Sequence, residues 1–136
     1  MALIVENGTG LATAESYASV AEADAQHTKY GNSAWTGTDA AKEIALRKAT
    51  DYMVSVFRSA WGGARMSDVQ ALDWPRAWVE VDGYYVSSSI VPPEVKAACI
   101  ELALIALTTS LMPTTSSRTK KRVKVGPLEV EYDGEG

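Results

Sequence analysis

Three stretches of the chain carry apolar residues at helical spacing, and short segments rich in Gly, Pro, Ser or Asn separate them. Ser19 followed three positions later by Glu22 forms a capping-box pattern, which predicts a helix running to about Tyr30 and stopping at Gly31. A loop with Trp35 and Gly37 follows. Asp39 is then a suitable N-cap for a second helix whose apolar positions are Ile44, Ala45, Ala49, Tyr52, Met53, Val56 and Phe57. The other side of that helix holds Lys42, Glu43, Arg47, Lys48 and Asp51, a pattern that suits a solvated face or a subunit contact. Trp61-Gly62-Gly63 should end it. The third stretch opens at Pro92-Pro93, which presets a first helical turn, and is almost continuously apolar from Val95 to Met112. Glu94, Lys96 and Glu101 interrupt it and alanines dilute it, so it reads as a buried central helix rather than a membrane span.

Between the second and third helices the pattern changes. Ser67 and Asp68 could cap a short helix through Leu72, but Pro75 requires extended backbone at Trp74 and no helix can continue there. Val79-Glu80-Val81, Asp82-Gly83 and Tyr84-Tyr85-Val86 alternate around a hairpin dipeptide, which predicts an exposed β-hairpin at about 78–86. Beyond Pro113 a Thr/Ser-rich connector leads into a patterned tail. If Gly126-Pro127 forms a two-residue turn, Val125 faces Leu128 and Val123 faces Val130, while Lys124 faces Glu129 and Arg122 faces Glu131, with Tyr132 beyond. That arrangement is a β-hairpin arm whose apolar side needs a partner; the alternative is a charged tail without fixed structure. The expected fold is therefore mainly α: a bundle of three main helices over residues 1–112 with a mid-chain hairpin, then a linker and C-terminal β arm over 113–136.

Composition narrows the function classes. A chain of 136 residues, 46% hydrophobic, suits one core. With 13 Lys plus Arg against 17 Asp plus Glu the net charge is −4, so no global field draws it to nucleic acid or an anionic membrane, and only 118–124 forms a basic run. A single-strand binder would be expected to interleave a basic stripe with exposed aromatics. The lone Cys99 cannot form an internal disulfide and reads as a small core residue in a reducing compartment. With one histidine in the chain, a Cys/His zinc site cannot be built, and His27 has no nucleophile placed beside it by a recognisable motif. Gly8-Thr9-Gly10 and Trp61-Gly62-Gly63 lack the context of a phosphate cradle and read as turns. The N-terminal apolar run is too short, and lacks the basic start, for a signal peptide. Neither catalysis nor a cofactor is expected. Trp74, Pro75 and Arg76 stand out: the indole as a core group, the guanidinium as a helix cap or carboxylate partner, and the set as the turn that carries the hairpin.

Several stretches resemble head-to-tail connector (adaptor) proteins of tailed bacteriophages, a group that includes a family labelled DnaT-like single-stranded DNA-binding protein. They are Gly10-Leu11 to Tyr17, Ala49-Thr50-Asp51-Tyr52, Gln70-Ala71-Leu72-Asp73-Trp74-Pro75-Arg76, Val91-Pro92-Pro93-Glu94-Val95-Lys96-Ala97-Ala98, and Val125 to Tyr132. The resemblance implies a structural subunit, without an active site, of a ring that is commonly a dodecamer. That ring would dock on the portal protein in the virion neck, meet a tail or second neck ring protein, and let DNA pass through its lumen. Assembly would take place in the host cytoplasm, with no membrane involved. The family label implies the competing role, single-stranded DNA binding.

Overall fold

The computed structural model describes residues 2–109 and 111, and shows three helices and two small antiparallel sheets. Helix α1 spans Val20–Lys29. Its capping box forms as the sequence implies: the Ser19 hydroxyl accepts from the Glu22 amide, and the Glu22 carboxylate accepts from the Ser19 amide. Tyr30 closes the helix and Gly31, at φ +69°, turns the chain away. Helix α2 spans Asp39–Phe57. Its N-cap is Thr38 rather than Asp39: the threonine hydroxyl accepts from the Ala41 amide, and Asp39 becomes the first helical residue, where its charge favours the helix N-terminus. Helix α3 spans Pro93–Thr108, with Pro93 in its first turn, and stops short of Met112.

The core lies where α2 packs along α3. Ala45, Leu46, Ala49, Thr50 and Met53 of α2 meet Val95, Cys99, Ile100 and Ala103 of α3, and the alanines allow the two backbones to come close. The Thr50 hydroxyl lies 3.3 Å from the Cys99 sulfur, and burial pushes the Cys99 thiol up, so it is a small, inert core group. The buried stripe of α2 is rotated from the one expected. Leu46 is fully buried, whereas Ile44 and Val56 are close to half exposed, because α3 covers the Leu46 side of the helix and the Ile44 side faces away from it. Ile105 of α3 is likewise about half exposed, so that helix is partly rather than wholly central.

Helix α1 joins this pair chiefly through polar groups. Lys96 reaches Glu22 at 2.9 Å and Lys42 reaches Asp24 at 3.0 Å. Burial alone would raise the Glu22 carboxyl, but the Lys96 and Ser19 bonds outweigh it and hold it below its usual range. For Asp24 the Lys42 and Trp35 bonds likewise outweigh burial. His27 is buried, its Nε2 lying 3.1 Å from the Ile100 carbonyl and its Nδ1 2.9 Å from the Asn32 amide, while Trp35 stacks at 4.8 Å and donates its indole N–H to Asp24. The lone histidine is therefore part of the packing. Two members of the charged face of α2 are engaged within the subunit: Lys42 with Asp24, and Arg47 with Glu15 at 2.9 Å.

The segment from 58 to 92 contains no helix; the short one expected at 67–72 does not form. In its place strand β1, Ala64–Arg65, pairs with strand β2, Arg76–Ala77, a sheet without a sequence signal because each strand is two residues long. Strands β3, Glu80–Val81, and β4, Tyr84–Tyr85, form the expected hairpin. Asp82 at φ +55° and Gly83 at φ +85° occupy its turn, and Val86 N–H donates to the Val79 carbonyl at 2.8 Å. The linker and arm expected over 113–136 lie outside the described residues.

Candidate functional site

Residues 70–76 act as a scaffold beneath the hairpin, because the Gln70 and Arg76 side chains bond to backbone and the Asp73 side chain ties down two neighbouring side chains. Gln70 donates to the Leu72 and Pro75 carbonyls at 2.8 and 3.0 Å and accepts from the Ser67 amide at 2.9 Å. That side chain takes the place of the missing helix. Asp73, with no exposure, accepts from the Arg58 guanidinium and the Trp61 indole, both at 3.0 Å, while its own amide donates to the Tyr17 hydroxyl. Burial, with the Asp73 carboxylate nearby, pushes the Tyr17 phenol well above its ordinary range, so it stays a neutral hydroxyl.

Arg76 is buried and donates to three carbonyls: Gly62 at 2.7 Å, Asp73 at 3.2 Å and Gly63 at 3.3 Å. It neither caps a helix nor forms the carboxylate pair expected of it; Arg58 holds that carboxylate. Gly63, at φ +65°, passes so close to the Ala77 carbonyl that a Cβ would collide with it, which makes glycine obligatory where Arg76 clamps the loop. Trp74 precedes a cis peptide bond to Pro75 and is 4% exposed, packed edge-on against Trp61 at 5.4 Å. Trp74, Pro75 and Arg76 thus lie together at the base of the hairpin.

The Gly8-Thr9-Gly10 turn follows the same logic. The buried Glu6 carboxylate accepts from the amides of Gly8, Gly10 and Leu11 at 2.8–2.9 Å, so the loop's amides already hold an anion, one supplied by the chain itself. Among the described residues no three His, Cys, Asp or Glu side chains converge to hold a metal ion, and no helix is long and apolar enough to cross a membrane.

What projects from this scaffold is aromatic. Trp78 is 77% exposed, Tyr84 78% and Tyr85 75%, with Val81 also outward. Trp78 sits in the left-handed region at φ +61°, a conformation that costs a non-glycine residue about 1 kcal/mol and is retained where surroundings or function demand it. The acidic Glu80 and Asp82 stand among these rings, both exposed. Between the hairpin and the start of α3 runs a groove of about 580 Å³, floored by Trp61 and Trp74, walled by Val79, Val86 and Pro92, and rimmed by Glu80 and Glu94. Trp74 also carries a buried indole N–H that has no acceptor among the described residues.

The sequence places the hairpin but does not by itself show that Trp78, Tyr84 and Tyr85 stay exposed on it. The available signal was crowding: with Val81, four large side chains fall on a nine-residue hairpin too small to bury them. The arm residues Arg122, Val123, Lys124, Val125, Leu128, Glu129, Val130, Glu131 and Tyr132 lie outside the described residues. No curated protein and no solved structure matches the chain. A family model does, over residues 1–136, under the description "Putative DnaT-like ssDNA binding protein", and the chain belongs to that family.

Proposed function

We propose that this chain is a structural rather than catalytic protein: one subunit of the ring that joins head to tail in a tailed phage. The ring would be a homo-oligomer of about twelve copies, as such connectors commonly are, docked under the portal and meeting a tail or second neck ring protein on its other side, with DNA passing through the lumen. The observation that carries this reading is the hairpin. Trp78, Tyr84 and Tyr85 present rigid apolar area to solvent beside Glu80 and Asp82, a composition suited to protein contact. Carboxylates among the rings would repel a phosphate backbone. The residues that could have suggested chemistry support the reading from the other side: Glu6, His27, Asp73 and Arg76 are all engaged in holding the subunit together.

Single-stranded DNA binding is the second reading, favoured by the family's description and by the same exposed rings, since bases stack on Trp and Tyr. The two part company in one pair of measurements. Particles assembled without the protein should package DNA but fail to join tails, and the purified chain should show no tight binding to an oligonucleotide at either low or physiological salt. Normal tail joining in its absence overturns the ring reading. Tight, salt-sensitive binding that quenches tryptophan fluorescence would establish the other.

A further inference from the structure

We infer that the groove beneath the hairpin is the receptor for residues 118–125 of a neighbouring copy, an inference that rests on the ring reading and says how the ring closes. Three observations select this occupant. The groove rim carries the carboxylates of Glu80 and Glu94, with Asp82 in the adjacent turn, and no Lys or Arg lines it among the described residues. The densest complementary charge in the sequence is the run Arg118, Lys120, Lys121, Arg122 and Lys124, which holds five of the 13 Lys and Arg.

The groove floor is apolar, and the segment offers Val123 and Val125 at the spacing that puts alternate side chains on one side of an extended strand. In that pose Val123 and Val125 descend toward Trp61 and Trp74 while Arg122 and Lys124 remain at the rim with the acids. The hairpin is two-stranded, so it leaves an edge to which an extended segment can add by backbone hydrogen bonds.

The third observation is polarity. The groove lies at the start of α3 and the tail leaves from its end, roughly 24 Å away at about 1.5 Å per residue over the 16 residues of the helix. Donor and receptor at opposite ends of a subunit make a head-to-tail contact, the kind that propagates around a closed ring; a self-complementary patch would stop at a dimer.

Paired single-cysteine variants of the full chain test it, because the native Cys99 is buried and does not compete. Ser87→Cys, in the groove lining, is mixed with Val125→Cys under mild oxidation, and Ala34→Cys on the exposed loop before α2 serves as the control partner. The Ser87/Val125 pair should link between copies at least about tenfold faster than the control, as groups held at millimolar effective concentration do. Glu94→Gln with Glu80→Gln should lower that rate several-fold and make it less salt-sensitive. A Ser87→Cys/Val125→Cys double variant should give a ladder of linked copies; closure within single chains overturns the inference. Mass measurement on the same samples separates the failures. Rings without the Ser87–Val125 link would overturn the groove assignment and leave the ring reading standing, whereas unlinked monomers at every concentration would overturn both.

Discussion

Between α2 and α3 the contact is made by side chains packed for their shape: Leu46, Ala49 and Met53 against Cys99, Ile100 and Ala103. Between the end of α2 and the start of α3 the chain is held differently. There Gln70 and Arg76 bind backbone carbonyls and amides at named points, Asp73 holds the Arg58 and Trp61 side chains, and the apolar packing is a strip of rings, Phe57, Trp61 and Trp74, with Leu72, Val79 and Val91 buried beside it. The first kind of contact is spread over many small terms and tolerates exchange of one apolar residue for another of similar volume. The second concentrates its energy in a few groups, each of which strands its partners when removed. A residue's importance in the helical half therefore follows from its volume, and in the loop half from the bonds it makes.

The largest expected effect that separates the halves is Trp74→Ala, which should destabilise the subunit by about 3–5 kcal/mol in thermal melts through loss of a buried ring from the strip. An unchanged melting temperature would mean the indole is not packed as described. Gln70→Ala comes next. It leaves the Leu72 carbonyl and the Ser67 amide without partners and takes from the Pro75 carbonyl one of its two donors, the Met66 amide remaining, at a cost of about 2–3 kcal/mol by urea titration. A volume-conserving exchange in the other half, Met53→Leu, should cost less than about 1.5 kcal/mol. Equal costs for the two would erase the distinction.

That distinction also explains what was legible in the sequence. The α1 capping box, the apolar run of α3 and the Asp82-Gly83 turn are local patterns, and the structure forms all three. The exact stripe of α2 was not local: Ile44 and Leu46 are equally apolar, and which of them is buried depends on where α3 lies. The 67–72 segment carried a plausible helix cap, yet the side chain of Gln70 wins by capturing the Leu72 and Pro75 carbonyls, contacts that exist only once the Trp74–Pro75 turn brings them near. For Arg76 the sequence suggests a helix end or a carboxylate, whereas the Gly62 and Gly63 carbonyls are identified by the fold and by nothing in their sequence. For the candidate site, the hairpin was readable and its outward face was not, because period-two patterning assumes a sheet with one buried side and this hairpin buries only its base, at Val79.

Helix α1 sharpens the comparison through pH. Its carboxylates Glu22 and Asp24 have folded pKa values held below their usual range by Lys96 and Lys42, so their contribution is present above the unfolded value near pH 4 and is lost as pH falls below it. Glu15, lowered chiefly by its bond to Arg47, acts in the same direction. Because the Glu22 and Asp24 side chains are more than two-fifths exposed, each pair should contribute no more than about 0.5–1 kcal/mol. Urea midpoints should therefore fall modestly between pH 5 and pH 3, and Lys96→Ala should reduce the drop. A drop unaffected by that change would assign the acid sensitivity to other carboxylates.

The smallest expected effect on stability belongs to Trp78, one of the residues that project from the scaffold. Trp78 is 77% exposed, so truncating it removes little buried area, and its left-handed backbone at φ +61° carries a penalty that glycine does not. Trp78→Gly relieves about 1 kcal/mol of strain in the folded state and adds a similar entropy to the unfolded chain, so the two nearly cancel and the melting temperature should move by no more than a degree or two. If the ring instead helped hold the hairpin on its base, the melt would fall clearly, and Trp78→Ala, which keeps the strain, would fall further. Under the function proposed above, the same Trp78→Gly chain should fold normally yet join copies or portal poorly in sedimentation and tail-joining assays. Tyr84→Ala should share that phenotype from the neighbouring strand. A variant that keeps both its melting temperature and its assembly would remove the exposed aromatic hairpin from the contact and leave Trp78 without a structural explanation.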